Sequence, residues 1–145
     1  MRVLIQKSLN SSVSVEGEVK ASIDRGFVLF VCFTLGDSSE DIDYLVKKIV
    51  NLRIFEDDNN IMNKSILDVG GEVLSISQFT LYADTKKGNR PSYFKALKAA
   101  DASLLYNLFN ERLGDFVSVK TGVFGSDMLV NINNDGPITI LLESK

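Results

Sequence analysis

The run GFVLFVCFTL, residues 26–35, is the strongest constraint on how this chain can fold. It is apolar at nearly every position and rich in β-branched and aromatic side chains, yet far too short to cross a bilayer. It therefore reads as a strand buried on both faces, and such a strand needs apolar material above and below it. The segments around it supply candidates. RVLIQKSL and SVSVEGEVKASI alternate apolar and polar residues, and Glu16-Gly17 breaks the alternation where a hairpin would turn. Four or more strands are expected before or around the first helix.

That helix is expected in SSEDIDYLVKKIVNLRIF. Ser38 and Asp41 fit a capping box, and Ile42, Leu45, Val46, Ile49 and Leu52 recur at helical spacing. EDDNNIMNKSILDVGG is polar and turn-rich, a loop with room for one short structured piece. A second amphipathic helix is expected in ADASLLYNLFNERLGD, with Leu104, Leu105, Leu108, Phe109 and Arg112 on its apolar side and Gly114 as its stop. DFVSVKTGVF, DMLVNINN and PITILLE read as three further strands. With 145 residues and no Pro/Gly-rich linker or repeat, the expectation is one α+β domain, residues 1–145, in which antiparallel strands dominate.

Composition excludes several chemistries. There is no histidine, so neither a Ser-His-Asp nor a Cys-His hydrolase is open to this chain, and the commonest zinc and iron ligand is missing. The single cysteine, Cys32, sits in the apolar run, where it reads as a small buried hydrophobe. EDDNN, residues 56–60, lacks the glycine and the terminal glutamate of a calcium loop. No metal and no cofactor is expected. The net charge of −3 argues against wrapping of long nucleic acid, although DTKKGNRPSYFKALK gathers Lys86, Lys87, Arg90, Lys95 and Lys98. On composition alone these are as well explained by a solvated loop as by phosphate binding. MRVLIQKSL has neither the apolar core nor the cleavage site of a secretory signal, so a cytoplasmic protein without a membrane span is expected.

Two segments stand out. In SISQFTLYAD, Ser77, Gln78 and Thr80 place hydroxyl and amide groups in an otherwise apolar strand. Strand alternation would point Ser77 and Phe79 one way and Gln78 and Thr80 the other. Thr80 serves strand propensity as readily as it would serve catalysis. In NDGPIT, residues 134–139, Gly136-Pro137 reads from local propensity as an ordinary turn at a strand entry, with Pro137 offering no N–H to a ladder.

Together, SQFTL at 77–81 and NDGPIT at 134–139 resemble the two signature motifs of the D-aminoacyl-tRNA deacylase family. LIQKSLNSSVSVEGEV, RIFEDDNNIMN, ADTKKGNRPSY and TGVFGSDMLVNINNDGP extend the likeness, in order and spacing, over nearly the whole chain. The resemblance implies an antiparallel β-barrel-like sheet with two main helices packed on it. It implies a homodimeric hydrolase, with active sites at the dimer interface, that cleaves the ester joining a D-amino acid to the 3′-terminal adenosine of tRNA. Members also remove glycine mischarged onto alanine tRNA. Mapped onto this chain, Ser77, Gln78, Phe79 and Thr80 would line the substrate pocket, Phe79 against the adenine and Thr80 near the scissile ester.

Gly136-Pro137 would be a Gly-cis-Pro element reaching into the partner's pocket, its carbonyls accepting the substrate ammonium and excluding an L side chain. Asn134 and Thr139 would support that element. The family's usual Gln-Arg pair near the N-terminus is Gln6-Lys7 here, so the supporting cation at position 7 has lost its planar fork. An activated ester whose vicinal ribose hydroxyl assists hydrolysis needs no histidine, so Thr80 is expected to position or polarise rather than attack. The competing expectations are a non-catalytic module binding the tRNA 3′ end and a plain dimerisation domain.

Overall fold

A computed structural model describes residues 1–144. Strands β1 (Arg2–Val15) and β2 (Glu18–Cys32) form one long antiparallel hairpin that turns at Glu16-Gly17. Two strands therefore precede the first helix, and a short two-stranded hairpin follows it. The polar triplet Asn10-Ser11-Ser12, which resembles a break, is a bend inside β1. Asn10 adopts a φ of 49°, Ser11 is buried, and its Oγ accepts the Asn133 N–H at 3.2 Å.

The C-terminal half of β2 is buried on both faces, as the composition of that run requires: Phe27, Val28 and Leu29 have no exposure. Phe27, Leu29 and Val31 join a core shared with the helices. Val28 faces a second cluster with Val13, Ile23, Leu74 and Ile76, on which Met128, Val130 and Ile132 pack. Helix α1 (Ser39–Asn51) begins with the expected capping box, the Asp41 carboxylate accepting from the Ser38 N–H at 2.9 Å, and buries Ile42, Leu45, Val46, Ile49 and Val50. Between residues 52 and 71 the chain forms a small hairpin, β3 (Phe55–Glu56) with β4 (Met62–Lys64), and a one-turn helix, α2 (Ile66–Val69), capped by Ser65.

The next strands run parallel to their neighbours. β5 (Glu72–Ser77) pairs with β2 and β6 (Ser118–Thr121) with β5, while β7 (Leu129–Glu143) pairs antiparallel with β1. The order is β6-β5-β2-β1-β7, an open mixed sheet rather than a closed barrel, in which the long antiparallel pairings of β1 with β2 and β7 dominate as expected. The reason lies in the connections. Residues 33–71 and 78–117 each carry a helix, and a crossover of that length returns the chain parallel to the strand it left. The second crossover contains α3 (Ala99–Gly114), which with α1 makes the two main helices expected, beside the one-turn α2. In α3 the buried residues are Tyr106, Phe109 and Leu113, whereas Leu104 is 70% exposed. The stripe is thus rotated from the one expected, and the buried Tyr106 hydroxyl finds the Ser75 carbonyl at 2.8 Å. DMLVNINN and PITILLE, expected as separate strands, are one strand, β7. Among the described residues no helix is long and apolar enough to cross a membrane.

The parallel pairing of β2 with β5 starts at Gly26, where the two backbones meet. A Cβ on Gly26 would lie 1.8 Å from the Glu72 carbonyl oxygen, and its φ of 155° adds backbone strain. Gly26→Ala should therefore destabilise the fold by at least the about 1–3 kcal/mol typical of overpacking. Urea unfolding reads this as a lower midpoint, and an unchanged midpoint would mean that the two strands are not held so closely.

Candidate active site

Strand β5 ends at Ser77, and the residues that follow leave the ladder. The Gln78 N–H still reaches the Val31 carbonyl at 2.8 Å, but Phe79–Tyr82 closes into a 3₁₀ turn held by Leu81 N–H to Gln78 C=O and Ala83 N–H to Thr80 C=O. The strand alternation expected for Ser77 to Thr80 is replaced by turn geometry. The Gln78 amide comes round to donate to the Thr80 Oγ1, so the two residues act as a hydrogen-bonded pair. That contact occupies a lone pair of the Thr80 hydroxyl and leaves its proton free to be donated. The N–H groups of Phe79 and Thr80 open the turn, where a 3₁₀ segment offers no internal acceptor.

Phe79 is 55% exposed and packs edge-on against Tyr93, with ring centroids 4.9 Å apart. Beside it lies an apolar cleft of about 310 Å³ whose walls include Val31, Ser77, Phe79, Tyr93, Leu97 and Phe124. Phe124 is in turn braced by Tyr106, 5.7 Å between centroids. Cys32 also borders the cleft. Its thiol donates to the Phe79 carbonyl at 3.3 Å, and burial pushes its pKa up to about 11, which makes it a brace for the turn rather than a nucleophile. A second brace is Arg2. It donates to the Leu81 carbonyl at 2.9 Å, lies 4.5 Å over the Tyr82 ring, and pairs with Glu143 of β7 at 2.6 Å. The Tyr82 phenol is pushed up to about 12, chiefly by burial.

Gly136 and Pro137 sit elsewhere. The β1–β7 ladder pairs Gln6 with Thr139 and Ser8 with Asn134, so residues 135–138 bulge out opposite Lys7 alone. Both Gly136 and Pro137 are exposed, and their peptide bond is cis. Gly136 has a φ of 124°, and a Cβ there would lie 2.8 Å from the Ile138 nitrogen. The neck of the bulge is tied by Asn134, whose amide donates to Thr139 Oγ1 at 2.9 Å and whose Oδ1 accepts from Ile138 N–H at 3.2 Å. Gln6 donates to the same Thr139 hydroxyl at 3.2 Å. Beneath lies Lys7, 1% exposed, its Nζ 3.1 Å from Asp135 and 3.0 Å from Glu56. The Lys7 hydrogen bond holds the Glu56 carboxyl below the usual range.

The structure thus brings Ser77, Gln78, Phe79 and Thr80 together, and gathers Lys7, Asn134, Gly136, Pro137 and Thr139 into a second group. It does not put Gly136 or Pro137 among the residues lining the cleft. Sequence reasoning missed Arg2, Cys32, Tyr93 and Phe124, which reach the site from distant positions. Only the exposed aromatics following Arg90-Pro91 hinted at one of them.

A sequence model of the family described as D-Tyr-tRNA(Tyr) deacylase matches residues 4–143. A solved structure described as c-Myc DNA Unwinding Element Binding Protein is 39% identical, covers 100% of this chain and 99% of its own, and superposes with a TM-score of 0.95. Another, described as a probable eukaryotic D-amino acid tRNA deacylase, is 16% identical over 98% of each chain, with a TM-score of 0.82, and shares the fold.

The state of Cys32 is directly testable. With its pKa raised from 9.0 to about 11, thiolate at pH 8 is scarcer by about 100-fold than in an unperturbed thiol. Iodoacetamide should label the native protein more slowly than the urea-unfolded chain by about that factor; equal rates would contradict the buried, hydrogen-bonded thiol.

Proposed function

The chain belongs to the D-Tyr-tRNA(Tyr) deacylase family, whose members are hydrolases acting on D-aminoacyl-tRNA, and on that premise we propose how its residues divide the work. The cleft beside Phe79 takes the 3′-terminal adenosine, with the adenine against the Phe79 and Tyr93 rings. Its volume and apolar walls suit a nucleoside anchored by few polar contacts. The ester then lies over the turn that begins at Gln78. Its carbonyl is polarised by the Thr80 hydroxyl and by the Phe79 and Thr80 N–H groups, which stabilise the developing oxyanion. Water attacks with help from the vicinal ribose hydroxyl.

The observation that carries this reading is the Gln78–Thr80 hydrogen bond. An amide donor on Oγ1 suits a hydroxyl that donates, and among the described residues no basic partner is bonded to it to take its proton, as a nucleophilic threonine would require. The second group supplies chirality. Gly136 and Pro137 project from the edge strand of one subunit into the cleft of a second copy, where their carbonyls receive the substrate ammonium and leave no room for an L side chain. Their exposure, and the tied neck of Asn134 and Thr139 above buried Lys7, support this. Selectivity by exclusion leaves glycine unrejected, so glycyl-tRNA mischarged on alanine tRNA is a second substrate. On this reading residues 1–145 work as one domain, in the cytoplasm, where tRNA is charged. The rival is a nucleic-acid-binding module without catalysis, in line with the description of the 39% identical relative as a DNA unwinding element binding protein.

Matched D- and L-aminoacyl-tRNA separate the readings: release of the D-amino acid alone is expected, while equal rates or no release would defeat the proposal. Thr80→Ala should retain substantial turnover with no trapped acyl-enzyme, since the N–H donors remain; an adduct on Thr80 in the parent protein would make it the nucleophile. tRNA ending in 2′-deoxyadenosine should bind but hydrolyse poorly, and full-speed hydrolysis would remove the ribose hydroxyl from the mechanism.

A further inference from the structure

Residues 84–98 carry five cations and one carboxylate, a local excess of four positive charges in a chain whose net charge is −3. The remainder of the molecule therefore holds seven excess negative charges. The distribution of partners sharpens this contrast. Arg2, Lys7, Lys20, Lys64, Arg112 and Lys120 each lie in an ion pair. Lys86, Lys87, Arg90, Lys95 and Lys98 are all exposed and, among the described residues, none pairs with a carboxylate.

The segment is also held in shape. Asp84 and Ser92 exchange backbone hydrogen bonds at 2.8 and 2.9 Å, and the Asp84 carboxylate accepts from the Lys86 N–H at 3.0 Å. Its far end is stitched to the sheet by Leu97 N–H to Phe33 C=O at 2.9 Å and by the Thr34 hydroxyl on the Lys95 carbonyl. The only carboxylate in the segment thus holds backbone geometry and forms an ion pair with none of the five cations among the described residues.

Two placements give the surface a direction. Tyr93, Ala96 and Leu97 line the cleft beside Phe79, so the segment forms its rim. Phe94, the residue after Tyr93, is 96% exposed, an aromatic face standing in solvent among the cations. On the other side, Lys86 and Lys95 border a polar groove of about 400 Å³ together with Arg2 and Tyr82. Exposed aromatics interleaved with lysine and arginine are what a single nucleic-acid strand recognises: rings stack on bases while cations meet the phosphates.

We propose that residues 84–98 are a binding surface for the unpaired nucleotides preceding the terminal adenosine of the RNA. Phe94 stacks on a base adjacent to the one in the cleft, and Lys86, Lys87 and Lys95 contact backbone phosphates. This rests on the deacylase reading and deepens it. The small cleft handles the ester, while this rim supplies the affinity that an acidic protein otherwise lacks for an acidic partner.

The test compares two substrates, D-tyrosyl-tRNA and the D-tyrosyl ester of adenosine, which ends before the rim. For Phe94→Ala, and separately for the triple variant Lys86→Ala/Lys87→Ala/Lys95→Ala, KM on the tRNA should rise about tenfold or more with kcat little changed. Both variants should hydrolyse the adenosine ester at the parent rate, and Phe94→Tyr should restore the parent KM. The triple variant should also flatten the dependence of log KM on log salt by about 2, the share of three phosphate contacts on a single strand.

Unchanged KM and salt slope on tRNA would overturn the inference while leaving the deacylase reading intact. If the parent protein hydrolyses neither substrate but binds a fluorescent single-stranded 3′-end oligoribonucleotide that both variants bind more weakly, the deacylase reading falls and the surface stands. Equal losses on both substrates, accompanied by a change in mass on gel filtration, would show that the rim contacts a second copy of the chain and would also overturn it.

Discussion

A strand buried on both faces needs apolar layers above and below it and partners for its backbone on both sides, and most of this architecture follows from meeting that condition for β2. One neighbour is its hairpin partner β1. The other must come from later in the chain, and with helices in the intervening crossovers it arrives parallel, as β5. The helices then cover one face of β2 and the second apolar cluster covers the other. This placement also fixes the site. The Gln78 N–H makes the last backbone hydrogen bond to β2, at Val31, and the polar motif lies there, beside the buried C-terminal half of β2. A rigid strand end is where a hydroxyl and two N–H groups can be held without a loop's freedom.

The buried Lys7 ammonium imposes a second condition. An unpaired charge at 1% exposure would carry a large desolvation cost, so Lys7 needs anionic partners, and it finds Glu56 from the small hairpin and Asp135 from the bulge. Asp135 directly precedes Gly136, so the ion pair fixes one end of the exposed excursion while Asn134 and Thr139 close its neck. A lysine makes these contacts as a point charge. Where an arginine would add a planar fork, this chain obtains direction from two separate carboxylates instead.

How far the sequence was legible depended on whether the signal was local. The β2 run, the Glu16-Gly17 turn and the Ser38–Asp41 capping box were all readable, because periodicity and capping act over a few residues. The motif residues were identified but misplaced. SISQFTLYAD carries strand propensity throughout, yet the turn at Phe79–Tyr82 is held by Arg2, Cys32 and Tyr93, contacts across 79, 47 and 14 residues that no local pattern encodes. Leu104 fails similarly, since which stripe of α3 is buried was decided by the sheet and by the Ser75 carbonyl that satisfies Tyr106. The mixed strand order was hidden because pattern reading assigns strands but not their direction.

On the proposed reading the two groups of residues meet opposite demands, and their placement suits it. Polarising an activated ester needs donors already oriented, and Gln78, Thr80 and the start of the 3₁₀ turn are braced from below by Cys32 and from the side by Arg2. Rejecting the wrong hand needs a steric boundary, which side chains, with their rotamers, provide poorly and backbone provides well. Gly136 and Pro137 offer only backbone and a fixed ring, on an excursion anchored at both ends. Arg2 joins the halves, donating to Leu81 in the turn and pairing with Glu143 at the end of the strand that carries the excursion. On the proposed reading, a chain without histidine works through geometry, with proton transfer left to water and to the substrate's own hydroxyl.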